Sequence, residues 1–203
     1  MHLNIENLIN KYQLTTPQKQ GTENIQGWQS TSQALVYVIQ NSQPESIVEI
    51  GTWIGASAIF MSEQTQAPIL CIDTFLASNE MLWREKNVQN LVQNFDQIYK
   101  QFCINITSKK KNEQIAMLPM TSSAAAELFA KEQTQVDMIY LDAGHQEREV
   151  YADLQDWWPK TNKALIGDDY SPQWPGVMKA ADRFANENNI PIEIMDSKFI
   201  LWH

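Results

Sequence analysis

The sequence predicts an α/β fold in which a mostly parallel sheet carries helices on both faces. Short apolar runs of strand length alternate with longer segments whose apolar residues recur at helical spacing. Such alternation is typical of a parallel sheet whose strands are joined by helices. The last two apolar runs are so close in the chain that they must form a hairpin, which makes one strand antiparallel.

The elements follow in order along the chain. An amphipathic helix, with Ser30 or Thr31 as its N-cap, precedes the first strand, and residues 1–30 before it form a polar segment that we interpret as a lid. Strands buried on both faces are predicted at 46–50, 68–73, 114–120, 136–142 and 164–169. The segments between them predict helices at 55–64, 83–102, 122–132 and 147–158. A helix at 176–188 and a hairpin of 191–195 with 198–203 complete a seven-stranded sheet in a single domain, residues 1–203.

Composition excludes several classes of function. The net charge is −9 and the only basic run is Lys109 to Lys111, so we expect no nucleic-acid partner. The N-terminus lacks a signal-peptide pattern and no apolar stretch approaches membrane-spanning length, so we expect a cytoplasmic protein with no membrane partner. Cys71 and Cys103 each lie in an apolar segment, which favours buried reduced thiols. The oligomeric state stays open, a homo-oligomer included.

A glycine-containing turn follows the first predicted strand, in the segment "VEIGTWIGASA". Gly51 and Gly55 would let the backbone approach a ligand, and the following helix N-terminus would offer unpaired N–H groups. A dinucleotide-binding loop would need its second glycine at Trp53, where an indole would block a pyrophosphate. The pattern therefore favours another nucleotide cofactor, and a tight turn with no ligand is the alternative.

Acidic residues follow three other predicted strands. Asp73 comes about twenty residues after the glycine turn, where related folds use a carboxylate to accept both ribose hydroxyls, although it could instead form a turn. Asp142, Asp168 and Asp169 follow the fourth and fifth strands and should meet at one sheet edge. Three carboxylates at one point need a cation, and oxygen ligands favour Mg²⁺. His145, three residues beyond Asp142, could act as a general base or be a surface histidine.

The ordered motifs "EIGTWIG", "CID", "MTSS", "LDAGH" and "GDDY" resemble those of class I S-adenosylmethionine-dependent methyltransferases. From Ser46 to Phe184 the chain is similar to the metal-dependent small-molecule O-methyltransferases, of which the catechol and macrolide-sugar enzymes are well-known members. The resemblance implies a Rossmann-like fold with a seven-stranded sheet and one antiparallel strand. It also implies methyl transfer from S-adenosylmethionine to a hydroxyl of a small molecule or sugar, assisted by a divalent metal.

The same resemblance implies roles for individual residues. Ser57 would contact the methionine carboxylate, and Ser122 would lie near the adenine. His145 stands where catechol-type enzymes carry a catalytic lysine, so it is the candidate base, with Asp142 as its competitor. The metal ligands would be Asp142, Asp168 and Asp169. The cofactor would be contacted by Glu49, Gly51, Gly55, Ser57, Asp73, Ser122 and Asp142.

Three alternatives stay open at this point. The first is a methyltransferase of the same fold that needs no metal, with the aspartates accepting hydrogen bonds from the substrate. The second is a binding protein that holds S-adenosylmethionine without turnover. The third, a nicotinamide oxidoreductase, is disfavoured by Trp53 in the glycine turn.

Overall fold

The computed structural model describes residues 4–25, 32–76 and 96–203. Its helices and strands alternate as the apolar pattern predicts. The helices are α1 (Ile5–Tyr12), α2 (Gln33–Ser42), α3 (Ala56–Gln64), α4 (Gln97–Ser108), α5 (Ser122–Lys131), α6 (Glu147–Trp157) and α7 (Pro175–Asn188), with a short 3₁₀ helix at Trp158–Lys160. The strands are β1 (Ile47–Ile50), β2 (Ile69–Ile72), β3 (Ile115–Leu118), β4 (Val136–Leu141), β5 (Thr161–Gly167), β6 (Ile192–Met195) and β7 (Lys198–Trp202).

The seven strands form one sheet in the order β3-β2-β1-β4-β5-β7-β6. The first five strands pair in parallel, while β7 runs antiparallel to both β5 and β6. This confirms the predicted mostly parallel sheet with one antiparallel strand. The connections reverse direction between β1 and β4, and at such a switch point the strand ends open a crevice where open α/β sheets bind ligands.

The sheet separates two apolar cores. One face is covered by α1, α5, α6 and α7 and includes Phe129 and Trp157, which pack edge to face with ring centroids 5.0 Å apart. The other face is covered by α2, α3 and α4 and includes Phe102. Because β1, β2 and β3 are buried at every position, these strands contain apolar residues facing both cores, as their continuous apolar runs predict. Cys71 and Cys103 are buried free thiols, as expected.

Two predicted boundaries differ from the structure. Helix α2 begins at Gln33, and its N-cap is Ser32, whose side chain accepts a hydrogen bond from the Ala34 N–H. The predicted caps Ser30 and Thr31 were therefore wrong, because three hydroxyl residues in sequence are equally suitable and only the backbone geometry selects one. Of the helix predicted at 83–102, residues 83–95 lie outside the described part, and the described helix continues to Ser108.

The described part of the predicted lid begins far from the carboxyl edge of the sheet. Helix α1 buries Ile5 in the core, and the Thr16 hydroxyl donates to the Ile115 carbonyl at the start of β3. Farther along this segment, Asn24 comes close to the turn between Gly51 and Gly55. The buried Asn105 side chain accepts a hydrogen bond from the Asn24 N–H and donates one to the Asn24 carbonyl. The same Asn105 amide donates to the Ile54 carbonyl at 2.9 Å, which ties this segment to the turn. A lid role for residues 1–30 stays a prediction.

No helix among residues 4–25, 32–76 and 96–203 is long and apolar enough to cross a membrane.

Candidate functional site

The carboxyl ends of β1, β2, β4 and β5 bring the predicted site residues to one edge of the sheet. Backbone hydrogen bonds continue the ladder just beyond the strands, from the Gly51 N–H to Ile72 and from the Asp142 N–H to Ile50. The Asp168 N–H donates in the same way to the Leu141 carbonyl. Because these bonds fix the first residue after each strand, they hold the loops of the site in register.

Glu49 lies beneath the glycine turn and is fully buried. Its carboxyl accepts hydrogen bonds from the Thr52 hydroxyl at 2.6 Å and from the Ser57 hydroxyl. Burial raises the pKa of the Glu49 carboxyl to about 7, although these two donors act in the opposite direction. The structure therefore gives Glu49 and Ser57 a shared task, which is to brace the turn against α3. Direct contacts of either residue with a cofactor stay predictions.

The raised pKa of Glu49 makes the stability of the protein depend on pH. The carboxyl loses its proton near pH 4.5 in the unfolded chain but near 7 in the folded one, so the folded state is penalised as pH rises between these values. We expect Glu49→Gln to raise the free energy of unfolding at pH 8 by about 3 kcal/mol and to change it little at pH 4.5. Urea denaturation at both pH values measures this, with the exposed Glu63→Gln as control. An equal effect of Glu49→Gln at both pH values would contradict the assignment.

Gly51 is required where the turn meets the loop after β4. Its φ is +87°, and a Cβ at this position would lie 2.1 Å from the Asp142 carbonyl oxygen. We expect Gly51→Ala to lower the free energy of unfolding by about 3 kcal/mol or more, because both the backbone angle and the contact are unfavourable. Gly144→Ala is the control, since its Cβ would meet only the flexible Glu149 side chain. Urea denaturation of both variants tests this, and equal losses would contradict it.

Asp73 follows β2 at the carboxyl edge of the sheet, and its contact with a ribose stays a prediction. Its two carboxylate oxygens accept hydrogen bonds from the backbone N–H groups of Trp53 and Phe75, at 2.8 and 2.7 Å. Burial raises the pKa of the Asp73 carboxyl, and these N–H donors oppose the rise. Beyond Asp73, two large apolar side chains are exposed, Leu76 by 52% and Met120 by 36%. A fixed carboxylate beside exposed apolar side chains suits a ribose joined to a flat, weakly polar base.

Ser122 begins α5 after β3, as the resemblance requires, but its hydroxyl faces inward. It donates to the Asp153 carboxylate of α6 and accepts from the Trp157 indole N–H at 2.8 Å. Burial raises the pKa of Asp153 to about 6, and the Ser122 hydroxyl opposes the rise. The structure thus gives Ser122 a helix-packing role, and its contact with an adenine stays a prediction.

Asp142, His145 and Asp169 form a compact cluster beside the switch point. Each offers one ligand atom, and these atoms all lie within 4.8 Å of one another. The His145 Nε2 is 2.8 Å from an Asp169 carboxylate oxygen, and the imidazole stacks on the Trp174 indole with centroids 3.9 Å apart. Asp169 has a left-handed backbone with φ of +62°, which aspartate tolerates better than most residues. Two carboxylates and an imidazole at this spacing fit the donor set of a divalent metal ion.

The electrostatics of this cluster favour a cation. Burial raises the pKa of the Asp142 carboxyl well above its usual range, and the neighbouring Asp168 and Asp169 carboxylates raise it further. A proton or a metal ion that reduces the negative charge is therefore stabilised there.

Asp168 differs from Asp142 and Asp169 in its ion pair with Lys198, while the Tyr140 hydroxyl contacts both Asp168 and Asp142. One of its carboxylate oxygens accepts from the Lys198 ammonium at 2.5 Å and from the Asp169 N–H at 2.8 Å. The other accepts from the Tyr140 hydroxyl at 2.6 Å. The structure therefore brings Asp142 and Asp169 together with His145, and it turns Asp168 toward Lys198. Whether each of the three aspartates binds a metal stays a prediction.

Sequence reasoning missed four residues of this region, Tyr140, Lys198, Asn105 and Asp153. Tyr140 and Lys198 resemble ordinary strand residues, and no pattern marks them. Trp174 and Tyr170 share the loop after β5, at the carboxyl edge of the sheet. The structure stacks Trp174 on His145, whereas the Tyr170 hydroxyl donates to Asp182 of α7 at 2.7 Å.

Comparison with known proteins gives one family match. Residues 48–170 match the family described as "Methyltransferase domain", which is more than half of the chain. These residues extend from β1 to the loop after β5 and so include the glycine turn and the acidic cluster. No curated protein matches the sequence.

Solved structures share the fold at low sequence identity. The O-methyltransferase from Bacillus cereus in complex with SAH is 14% identical with a TM-score of 0.60, covering 98% of this chain and 87% of that one. The O-methyltransferase TomG from Streptomyces achromogenes, involved in tomaymycin synthesis and solved with SAM, is 12% identical with a TM-score of 0.56 over 83% and 77% of the two chains. The SAH-bound methyltransferase PaMTH1 from Podospora anserina is 14% identical, with a TM-score of 0.54 over 84% and 76%.

Proposed function

This chain belongs to the methyltransferase-domain family, and from that premise we propose that it transfers the methyl group of S-adenosylmethionine to a hydroxyl oxygen of a small molecule or sugar. One observation carries the proposal. The Asp73 carboxylate and a cluster of acid and imidazole groups lie at the same sheet edge, on opposite sides of the glycine turn. The loops after β2 and β4 are two strand spacings apart, about 10 Å. A molecule made of an adenosine joined to a methionine can span this distance.

The likeness to known structures supports this cofactor and this acceptor atom. Two of the similar structures hold SAH and a third holds SAM, and two of these three are O-methyltransferases. In this chain, Asp73 would accept hydrogen bonds from the ribose hydroxyls, and the turn between Gly51 and Gly55 would face the methionine end. Glu49 would act beneath the turn by holding its shape through Thr52 and Ser57.

The acid and imidazole cluster would handle the proton of the acceptor hydroxyl. Bound S-adenosylmethionine would supply an electrophilic methyl group, and its transfer to a hydroxyl oxygen releases one proton. His145 is the proposed base for that proton, because its imidazole is held between the Asp169 carboxylate and the Trp174 ring. Asp169 would stabilise the imidazolium that forms. Asp142 is the competing base, since its carboxyl belongs to the same cluster as His145.

A divalent ion would fit beside Asp142 and Asp169, and Mg²⁺ is the ion that we propose. Such an ion would lower the pKa of the acceptor hydroxyl and position it. The two carboxylates would hold the ion, and acceptors with a second oxygen next to the reacting hydroxyl, such as a catechol or a sugar diol, would suit the site. One observation favours the alternative of a methyltransferase that needs no metal, because Lys198 already provides a cation for Asp168.

Methyl transfer from isotopically labelled S-adenosylmethionine tests the proposal. The wild-type chain is incubated with a panel of catechols, sugar diols and single alcohols, and products are examined by mass spectrometry with and without EDTA. Labelled ether products are the expected result, with diols preferred over single alcohols. Activity that survives EDTA would favour the metal-independent enzyme. Cofactor binding without any labelled product across the panel would favour a non-catalytic binding protein.

A further inference from the structure

Lys198 is a buried cation at the edge of the acidic cluster. Its side chain is 7% exposed, and its ammonium lies 2.5 Å from the Asp168 carboxylate. It is the first residue of β7, which pairs antiparallel with β5 so that the start of β7 lies beside the end of β5. Burying an ammonium group is unfavourable unless it is paired, so this ion pair is part of the site's architecture and not a surface contact.

Three groups donate hydrogen bonds to the Asp168 carboxylate. Lys198 and the Asp169 N–H share one oxygen, and the Tyr140 hydroxyl binds the other. The Lys198 ammonium also lies 5.8 Å from the centre of the Tyr140 ring, which adds a favourable cation–π contact. Asp168 thus has three hydrogen-bond donors within the described chain, whereas the ligand atoms that lie within 4.8 Å of one another are those of Asp142, His145 and Asp169.

We propose that Lys198 is the resident cation of the acidic cluster and that it withholds Asp168 from a divalent ion. An ion at this edge is then held by Asp142 and Asp169 beside His145, and its affinity is limited both by the loss of Asp168 and by repulsion from the Lys198 ammonium. Lys198 is a positioning residue for the site. The inference shares one assumption with the proposed function, which is that a divalent ion binds beside Asp142 and Asp169.

Manganese binding to the cofactor-free protein tests this inference without any measurement of activity. Mn²⁺ accepts both oxygen and nitrogen ligands, and the electron paramagnetic resonance signal of free Mn²⁺ reports the bound fraction. Lys198→Met is expected to bind Mn²⁺ at least about tenfold more tightly than wild type, because a nearby positive charge is removed and a carboxylate is released. Lys198→Gln, a milder change that can still donate to Asp168, is expected to show a smaller gain and serves if the methionine variant does not fold.

Asp168 provides the second half of the test. Asp168→Asn is expected to change Mn²⁺ affinity by less than about threefold in the wild-type background and to reduce the gain in the Lys198→Met background to the part that comes from removing the positive charge. Lys163→Met is the matched control, because Lys163 forms an ion pair of 2.8 Å with Asp137 away from the site, and it should leave the affinity unchanged. The inference is overturned if neither Lys198 variant binds Mn²⁺ more tightly than wild type, or if Asp168→Asn alone abolishes binding. Failure of methyl transfer would not affect either result.

Discussion

Replacing Asp73 by asparagine is expected to weaken S-adenosylmethionine binding about a hundredfold, because a charged acceptor for two hydroxyls is lost. The Asp73 side chain is partly buried at the end of β2, and the direction of its carboxylate is fixed by the N–H groups of Trp53 and Phe75. An asparagine has nearly the same shape, but it presents an amide N–H where the ribose needs an acceptor. Isothermal titration calorimetry with S-adenosylmethionine measures the change in the dissociation constant.

Asp137→Asn is the matched control for this experiment. Asp137 also accepts a backbone N–H, that of Glu45 at 2.9 Å, but it lies at the start of β4 and so at the opposite edge of the sheet. The variant should bind the cofactor as the wild type does, and circular dichroism should show both variants folded. A folded Asp73→Asn protein with unchanged affinity would remove Asp73 from the cofactor site.

His145→Gln is expected to lower kcat by a factor of about 100 to 10,000, the usual contribution of a general base, while leaving cofactor affinity within a few-fold of wild type. The His145 Nε2 is 2.8 Å from the Asp169 carboxylate. Asp169→Asn is therefore also expected to lower kcat, because the imidazolium loses its negatively charged partner. Initial rates with a labelled acceptor, together with calorimetric cofactor binding, separate the catalytic effect from a binding effect.

His203→Gln is the control for this substitution because His203 has a similar environment in a different place. Its ring stacks on Trp158 with centroids 3.7 Å apart, much as His145 stacks on Trp174, but it lies at the end of β7 away from the acidic cluster. This variant should keep full activity. If His145→Gln kept full activity, His145 would not be the base.

Much of the fold follows from the sequence because buried parallel strands leave a clear signal. Runs such as "SIVEI" and "PILCID" are mostly apolar because both faces of these strands are covered, and each run is short for a helix. The hairpin of β6 and β7 follows from the short chain between them. The boundary error at α2 has a local cause, since Ser30, Thr31 and Ser32 all carry a hydroxyl that can cap a helix and the sequence does not distinguish them.

The site is predictable in outline and not in its contacts. The carboxyl-edge rule places Asp73, Asp142 and Asp169 from strand position alone. Lys198 could not be found in this way, because its distance of thirty residues from Asp168 is bridged only by the antiparallel pairing of β5 with β7. Glu49 is a similar case, since a strand pattern does not reveal whether a carboxyl faces a ligand or the hydroxyls beneath a turn.

The most direct test of the central claim is parallel titration calorimetry of the wild-type chain with S-adenosylhomocysteine and with NADH. The carboxylate at Asp73 and the turn containing Trp53 should accept a nucleoside that lacks a pyrophosphate. The expected result is one binding site per chain for S-adenosylhomocysteine and no heat with NADH. Heat with NADH and none with S-adenosylhomocysteine would contradict the account.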